Sequence, residues 1–179
     1  MECLNQKLLK VEEKMSNALK TLGGLEEDEQ RAKDQLMEIK EILEKAKKKI
    51  YSYKLPVIPN IYNIQLSEAN VGIKEMIKEL KKSPVSIKTL NIRVDTARDL
   101  VLKLYNTANE SVKTAAMVEM AIVYGNRYRP INRNLDLELT RAEELFYNGE
   151  YKKALETSIR AINVVEPGVH KKLLEALKR

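Results

Sequence analysis

The sequence predicts an elongated all-α protein, and three observations carry that prediction. A heptad-spaced apolar stripe occupies the first fifty-three residues, and further stripes of the same period follow it. The five prolines fall only where a stripe stops. The composition joins 44% hydrophobic and 32% charged residues with one Phe and no Trp, which suits helices with mixed-charge surfaces and argues against a strand-rich fold.

The first stripe is the clearest. Alternating steps of four and three residues from Leu4 land on an apolar residue at every position to Tyr53 except Glu29. Such a period keeps one narrow seam facing a partner helix, and as a single helix the segment would extend roughly 75–80 Å. Gly23-Gly24 could break it into a hairpin, but Leu22 and Leu25 continue the register, so a continuous helix is expected. Lys54-Leu55-Pro56-Val57-Ile58-Pro59 stops it.

A second helix carries Tyr62, Leu66, Ala69, Ile73, Met76 and Leu80, and Lys81-Lys82 at its end should complement the helix dipole. Ser86 is placed to cap a third helix whose seam runs from Ile87 through Ala108 and Ser111 to Ile122. Ala116, Met117, Met120, Ala121 and Val123 widen that stripe, which implies neighbours on a second side. Asn126, in a left-handed cap, and Pro130 are expected to close it. Two short helices follow around the Asn148-Gly149 turn, and 169–177 would form a brief last helix.

Long helices joined by short turns describe spectrin-like antiparallel three-helix bundles that share long helices, with a short C-terminal helical hairpin. The second helix covers only half of the first, which leaves the seam of residues 4–25 without an internal partner. The expected division is a spectrin-like repeat over 1–112, with 1–27 belonging to a preceding repeat, and a C-terminal bundle over 113–179. A homodimer through residues 4–25 is the other way to cover the seam.

Function classes narrow quickly. A net charge of +6 arises from 32 basic and 26 acidic residues mixed throughout, which disfavours a nucleic-acid stripe. No apolar run approaches the roughly 18–20 residues of a membrane span, so a soluble segment is expected. Cys3 has no disulfide mate, and one Cys with one His, His170, gives no zinc spacing. No phosphate loop or nucleophile motif occurs, so neither enzyme chemistry nor a cofactor is expected. The run Lys45, Lys47, Lys48 and Lys49 lies among seam residues and acids and reads as a solvated face.

Two stretches are candidate contact sites. Tyr124-Gly125-Asn126-Arg127-Tyr128-Arg129 places aromatic and guanidinium groups at a helix end, as interfaces favour, although a plain helix stop would use the same residues. The hairpin around Asn148-Gly149-Glu150-Tyr151-Lys152-Lys153-Ala154 reads like one tetratricopeptide unit, yet it occurs once and a solenoid needs about three.

Tyr124 to Arg129, with Ala142-Glu143-Glu144-Leu145-Phe146, Glu150 to Glu156 and Val165-Glu166-Pro167-Gly168, resembles the C-terminal part of the septation ring formation regulator EzrA family. The resemblance implies a cytoplasmic rod of spectrin-like repeats carried by an N-terminal membrane helix absent from this chain. It also implies a negative regulator at the division septum that binds FtsZ, with other divisome or cell-wall synthesis proteins as further partners. The family's patch of Gln, Asn and Arg is matched here at Asn126 and at Arg127 or Arg129, while Val123 stands where the pattern carries Gln. Tyr124, Gly125, Asn126, Arg127, Tyr128 and Arg129 are therefore the expected interaction residues. The alternative is a coiled-coil spacer whose tetratricopeptide-like end binds peptides.

Overall fold

The computed structural model describes residues 2–169 together with Lys171 and Glu175, and their side chains from Val11 onward except that of Ala18. The side chains of Cys3, Leu4 and Leu8, as well as His170 and most of the expected last helix, lie outside that description. Every element is helical: α1 Glu2–Ser52, α2 Asn60–Leu80, α3 Ile87–Gly125, a 3-10 helix Asn126–Ile131, α4 Arg133–Tyr147 and α5 Tyr151–Val165. The class is all-α. Among the described residues, no helix is long and apolar enough to cross a membrane.

α1 passes through Gly23-Gly24 unbroken. A side chain at either glycine would meet nothing within 4 Å, so no packing demands glycine there. Helical glycines cost about 1 kcal/mol each, and the chain absorbs that cost without breaking.

Contacts divide the chain into two compact units, one formed by Met1–Glu41 with Ala69–Leu100 and the other by Ile42–Glu68 with Val101–Arg179. In the first, Ala32 and Ile39 of α1, Ala69, Ile73 and Met76 of α2, and Leu90, Val94 and Ala97 of α3 are buried. A Cβ at Gly72 would lie 2.9 Å from Leu100 Cδ1 and 3.4 Å from Ala97 Cα, so α2 and α3 approach closely there. Arg93 reaches Glu75 at 3.9 Å. Residues advance along α2 as they recede along α3, which makes the pair antiparallel. Lys82 does not simply face the dipole at the end of α2: its ammonium bonds the buried Glu79 carboxylate at 2.5 Å. The N-terminal seam is uncovered, with Val11, Met15, Leu22 and Leu25 between 39% and 61% exposed.

In the second unit, Leu43, Ala46 and Ile50 of α1 are buried, as are Tyr62 of α2 and Val101, Leu104 and Ala108 of α3. Along α3 both Val112 and Ala115 are buried, and Met117, Val118 and Ala121 follow. Burial on two sides of the helix agrees with the widened stripe, but Val123 is 71% exposed and takes no part in it. Ala115 and Val118 pack with Phe146, Tyr151 and Ala154, and Ala121 packs with Leu135, Leu139, Ile162 and Val169. α4 and α5 form an antiparallel hairpin, joined across its outer side by Arg160 and Glu138 at 3.1 Å.

The hairpin turn is pinned to the segment that links α1 and α2. The Tyr151 hydroxyl donates to the Val57 carbonyl at 2.6 Å and accepts from the Val57 N–H at 3.2 Å. Gly149 has φ +81, and a Cβ there would sit 3.0 Å from Val57 Cβ, so both its conformation and its neighbour call for glycine. Tyr53 donates to Glu119 Oε2 at 2.6 Å, tying the end of α1 to α3.

Three buried polar atoms have no such partner among the described residues: the Tyr62 hydroxyl, Gln65 Oε1 and Arg129 Nε. Tyr62 is fully buried, and its hydroxyl makes no hydrogen bond among the described residues. Burial pushes its pKa up to about 12, with Tyr51 and Glu44 adding to the effect. An unsatisfied buried hydroxyl costs about 1–3 kcal/mol, so Tyr62→Phe should raise the urea midpoint, and a lowered midpoint would show that the hydroxyl is satisfied. Because the phenol is harder to ionise folded than unfolded, the stability it protects is complete below pH ~10 and is lost as pH rises towards 12. The variant should therefore lose less stability than the parent between those values.

Candidate interaction surface at the end of α3

The surface depends on a close approach. Gly125, the last residue of α3, is buried, and a Cβ there would lie 2.7 Å from Leu139 Cδ1 and 3.2 Å from Ile162 Cδ1. Glycine lets the end of α3 lie this near both helices of the hairpin without shifting the Leu139 and Ile162 side chains. The chain does not stop in a left-handed cap: Asn126 lacks a positive φ, and the helix tightens into the 3-10 turn that contains Pro130. Direction changes at Asn132, where the backbone is extended and the side chain accepts from the Leu135 N–H at 3.0 Å, capping α4.

Within this frame the six expected residues take different positions. Tyr124 and Tyr128, one helical turn apart and half-buried, both donate to Glu166 Oε2 at 2.6 Å. The guanidinium of Arg127 lies 3.7 Å from the centre of the Tyr124 ring and 5.6 Å from that of Tyr128. Its Nε donates to the Tyr124 carbonyl at 3.0 Å. An arginine held over aromatic faces gains cation–π attraction while its outer donors remain available. The hydrogen bond to Glu166 is the main cause that raises the Tyr128 pKa, burial adds to it, and the Arg127 charge opposes it.

Arg129 turns the other way. It donates from Nη1 to Asp136 at 3.2 Å and from Nη2 to Glu143 at 2.5 Å, bracing the 3-10 turn against α4. Its Nε is buried without a partner among the described residues, a cost that its two ion pairs offset. Asn126 and Arg127 are exposed, whereas Gly125 is buried. The geometry thus brings together a cation on an aromatic shelf with a neighbouring amide, groups suited to a partner's carboxylates and carbonyls. No set of three potential metal-binding side chains exists among the described residues.

The sequence shows Glu143 and Glu166 only as parts of the family resemblance and marks no contact for them or for Asp136. The acids on α4 had a usable signal, since a spacing of seven places them on one face. Glu166 is thirty-eight residues beyond Tyr128 and gives no local sign of the contact.

The second candidate stretch is largely spent on the fold. Tyr151 and Ala154 are buried, Lys152 pairs with Glu110 at 2.9 Å, and Lys153 pairs with Glu150. An open groove of about 430 Å³ beside the turn is lined by Pro59 and Ile61, by Thr107, Ser111 and Thr114 of α3, and by these paired charges.

If Arg129 is a brace, Arg129→Ala should lower the unfolding free energy in urea by about 0.5–1 kcal/mol, since it removes the one cation that two part-exposed carboxylates share. Arg129→Lys should recover little, because a point ammonium cannot span both acids. An unchanged urea midpoint for Arg129→Ala would refute the bracing role.

The chain is matched over residues 1–177 by the family model described as septation ring formation regulator, EzrA. Relatives named septation ring formation regulator EzrA include those of Geobacillus sp. (strain WCH70), 31% identical over 82% of this chain, and Listeria innocua, 31% identical over 94%. That of Staphylococcus epidermidis is 30% identical over 84%. These matches cover 26%, 30% and 27% of the three relatives, so the chain spans between a quarter and a third of their length. No solved structure matches it. The chain belongs to the EzrA family of septation ring formation regulators.

Proposed function

We propose that this chain binds the tubulin-like division protein FtsZ and restrains assembly of the division ring, acting by protein contact rather than by catalysis. Asn126 and Arg127 make the contact, and Tyr124, Gly125, Tyr128 and Arg129 build the surface that presents them. The observation that carries this reading is the exposed Arg127 guanidinium stacked 3.7 Å from the Tyr124 ring. A long cation fixed in advance loses less conformational freedom when a partner arrives, which is the usual property of an interface anchor. The work takes place on the cytoplasmic side of the membrane at the septum, with attachment through a helix outside this chain.

A second contact, between copies of this chain, is supported by the uncovered heptad seam at Val11, Met15, Leu22 and Leu25. Sedimentation across a hundredfold range of concentration should show a dimer that Met15→Glu with Leu22→Glu abolishes. A chain that remains monomeric throughout would exclude that contact.

Co-sedimentation with FtsZ polymer tests the main reading. Asn126→Ala with Arg127→Ala should weaken binding at least tenfold, about 1.4 kcal/mol, with the thermal melt unchanged. Lys152→Glu with Lys153→Glu should leave binding intact. The reverse pattern would move the working surface to the hairpin and favour the peptide-adaptor reading.

A further inference from the structure

We infer that Glu166 is the positioning residue of this surface: by accepting both phenol hydrogens on one carboxylate oxygen, it fixes Tyr124 and Tyr128 as the shelf on which Arg127 lies. The inference adds to the proposed partner contact a residue that would not itself touch the partner. Its use in binding rests on that reading, but the geometry that supports it does not.

Three observations carry it. Both hydroxyls reach the same atom, Glu166 Oε2, each at 2.6 Å, from positions one turn apart on the end of α3 and the 3-10 turn. Arg127 touches both rings and bonds the Tyr124 carbonyl, so ring orientation and guanidinium orientation are set together. Glu166 also stands where helix stability alone would not put it. It is the C-cap of α5, with its N–H on the Ile162 carbonyl at 2.8 Å, and the end of a helix disfavours a negative charge. Two phenol donors compensate a carboxylate at that place.

The chain also fixes Glu166 from behind. Asn163 of α5 accepts from the Gly168 N–H at 2.8 Å, closing the turn through Pro167, and Gly168 adopts φ +86 as that turn requires. Val169, just beyond, is fully buried in the cluster that holds Leu139 and Ile162. The carboxylate is thus anchored to the core of the hairpin, and the surface at the end of α3 depends on a residue about forty positions away in sequence. If α5 shifts at its end, the shelf loosens and Arg127 loses its fixed direction.

The test uses the 179-residue chain with arginine labelled in nitrogen-15. The Arg127 Nε–H signal, identified by its loss in Arg127→Lys, should carry the upfield shift of a proton near an aromatic face. Glu166→Ala should remove most of that shift, and Glu166→Gln, which retains a carbonyl acceptor but not the charge, should remove part of it. Alkaline absorbance titration should show one phenol ionising at lower pH in both variants, because the carboxylate no longer holds the Tyr128 proton. Circular dichroism melts identify a variant that fails to fold, and Glu166→Gln then serves alone. An Arg127 signal and a phenol titration identical to the parent's in folded Glu166→Gln and Glu166→Ala would overturn the inference. With FtsZ polymer as the probe, Glu166→Ala should weaken binding about as much as Arg127→Ala, and the pair together no more than either alone. Fully additive losses would overturn action through Arg127. A parent chain that does not bind FtsZ, but whose Arg127 signal responds to Glu166 as described, would uphold the positioning role and refute the choice of partner.

Discussion

The absence of a side chain at Gly125 is the constraint on which the terminal part of the structure depends. Because nothing separates the end of α3 from Leu139 and Ile162, the helix reaches the hairpin closely enough for two tyrosines to share one carboxylate. The same approach places Arg129 within reach of Asp136 and Glu143. A larger residue would have to move the tip of the Leu139 side chain and press Ile162 back by a few tenths of an ångström. A backbone contact therefore determines which polar groups face outward and which are consumed by the fold.

That distinction separates two kinds of arginine that a sequence shows as equivalent. Arg127 and Arg129 are two residues apart and both fit an interface signature, yet one stacks on an exposed aromatic shelf and the other bridges two acids of α4. The tetratricopeptide-like stretch was similarly ambiguous. Its Gly149 and Tyr151 have the roles that motif gives them, a tight turn and close packing, but they pack against Val57 of the same chain. A motif specifies local geometry, and its surroundings decide whether the geometry is left for a partner.

Much of the helical architecture was legible because apolar period is a property of neighbouring residues. The seam positions from Ala32 to Ile50 are buried or half-buried, and the continuity of α1 through Gly23-Gly24 followed from unbroken register. Val123 was misread because an apolar residue at a helix end can project past the last neighbour that would cover it. Asn126 was misread because its tolerance of a left-handed cap does not oblige it to form one when a 3-10 turn satisfies the backbone. Glu166 was illegible for a different reason: its role depends on which hydroxyls tertiary packing brings near it, and local period carries no record of that. Lys82 was legible, since Glu79 lies three residues before it on the same helix.

We propose that recognition is concentrated where α3 ends. Hydrogen exchange along the chain, measured with and without FtsZ polymer, tests it most directly. Exchange should slow from Tyr124 to Ile131 and at the end of α5, with the hairpin turn at 148–153 unchanged. Protection confined to that turn or to the N-terminal seam, with none between Tyr124 and Ile131, would contradict it.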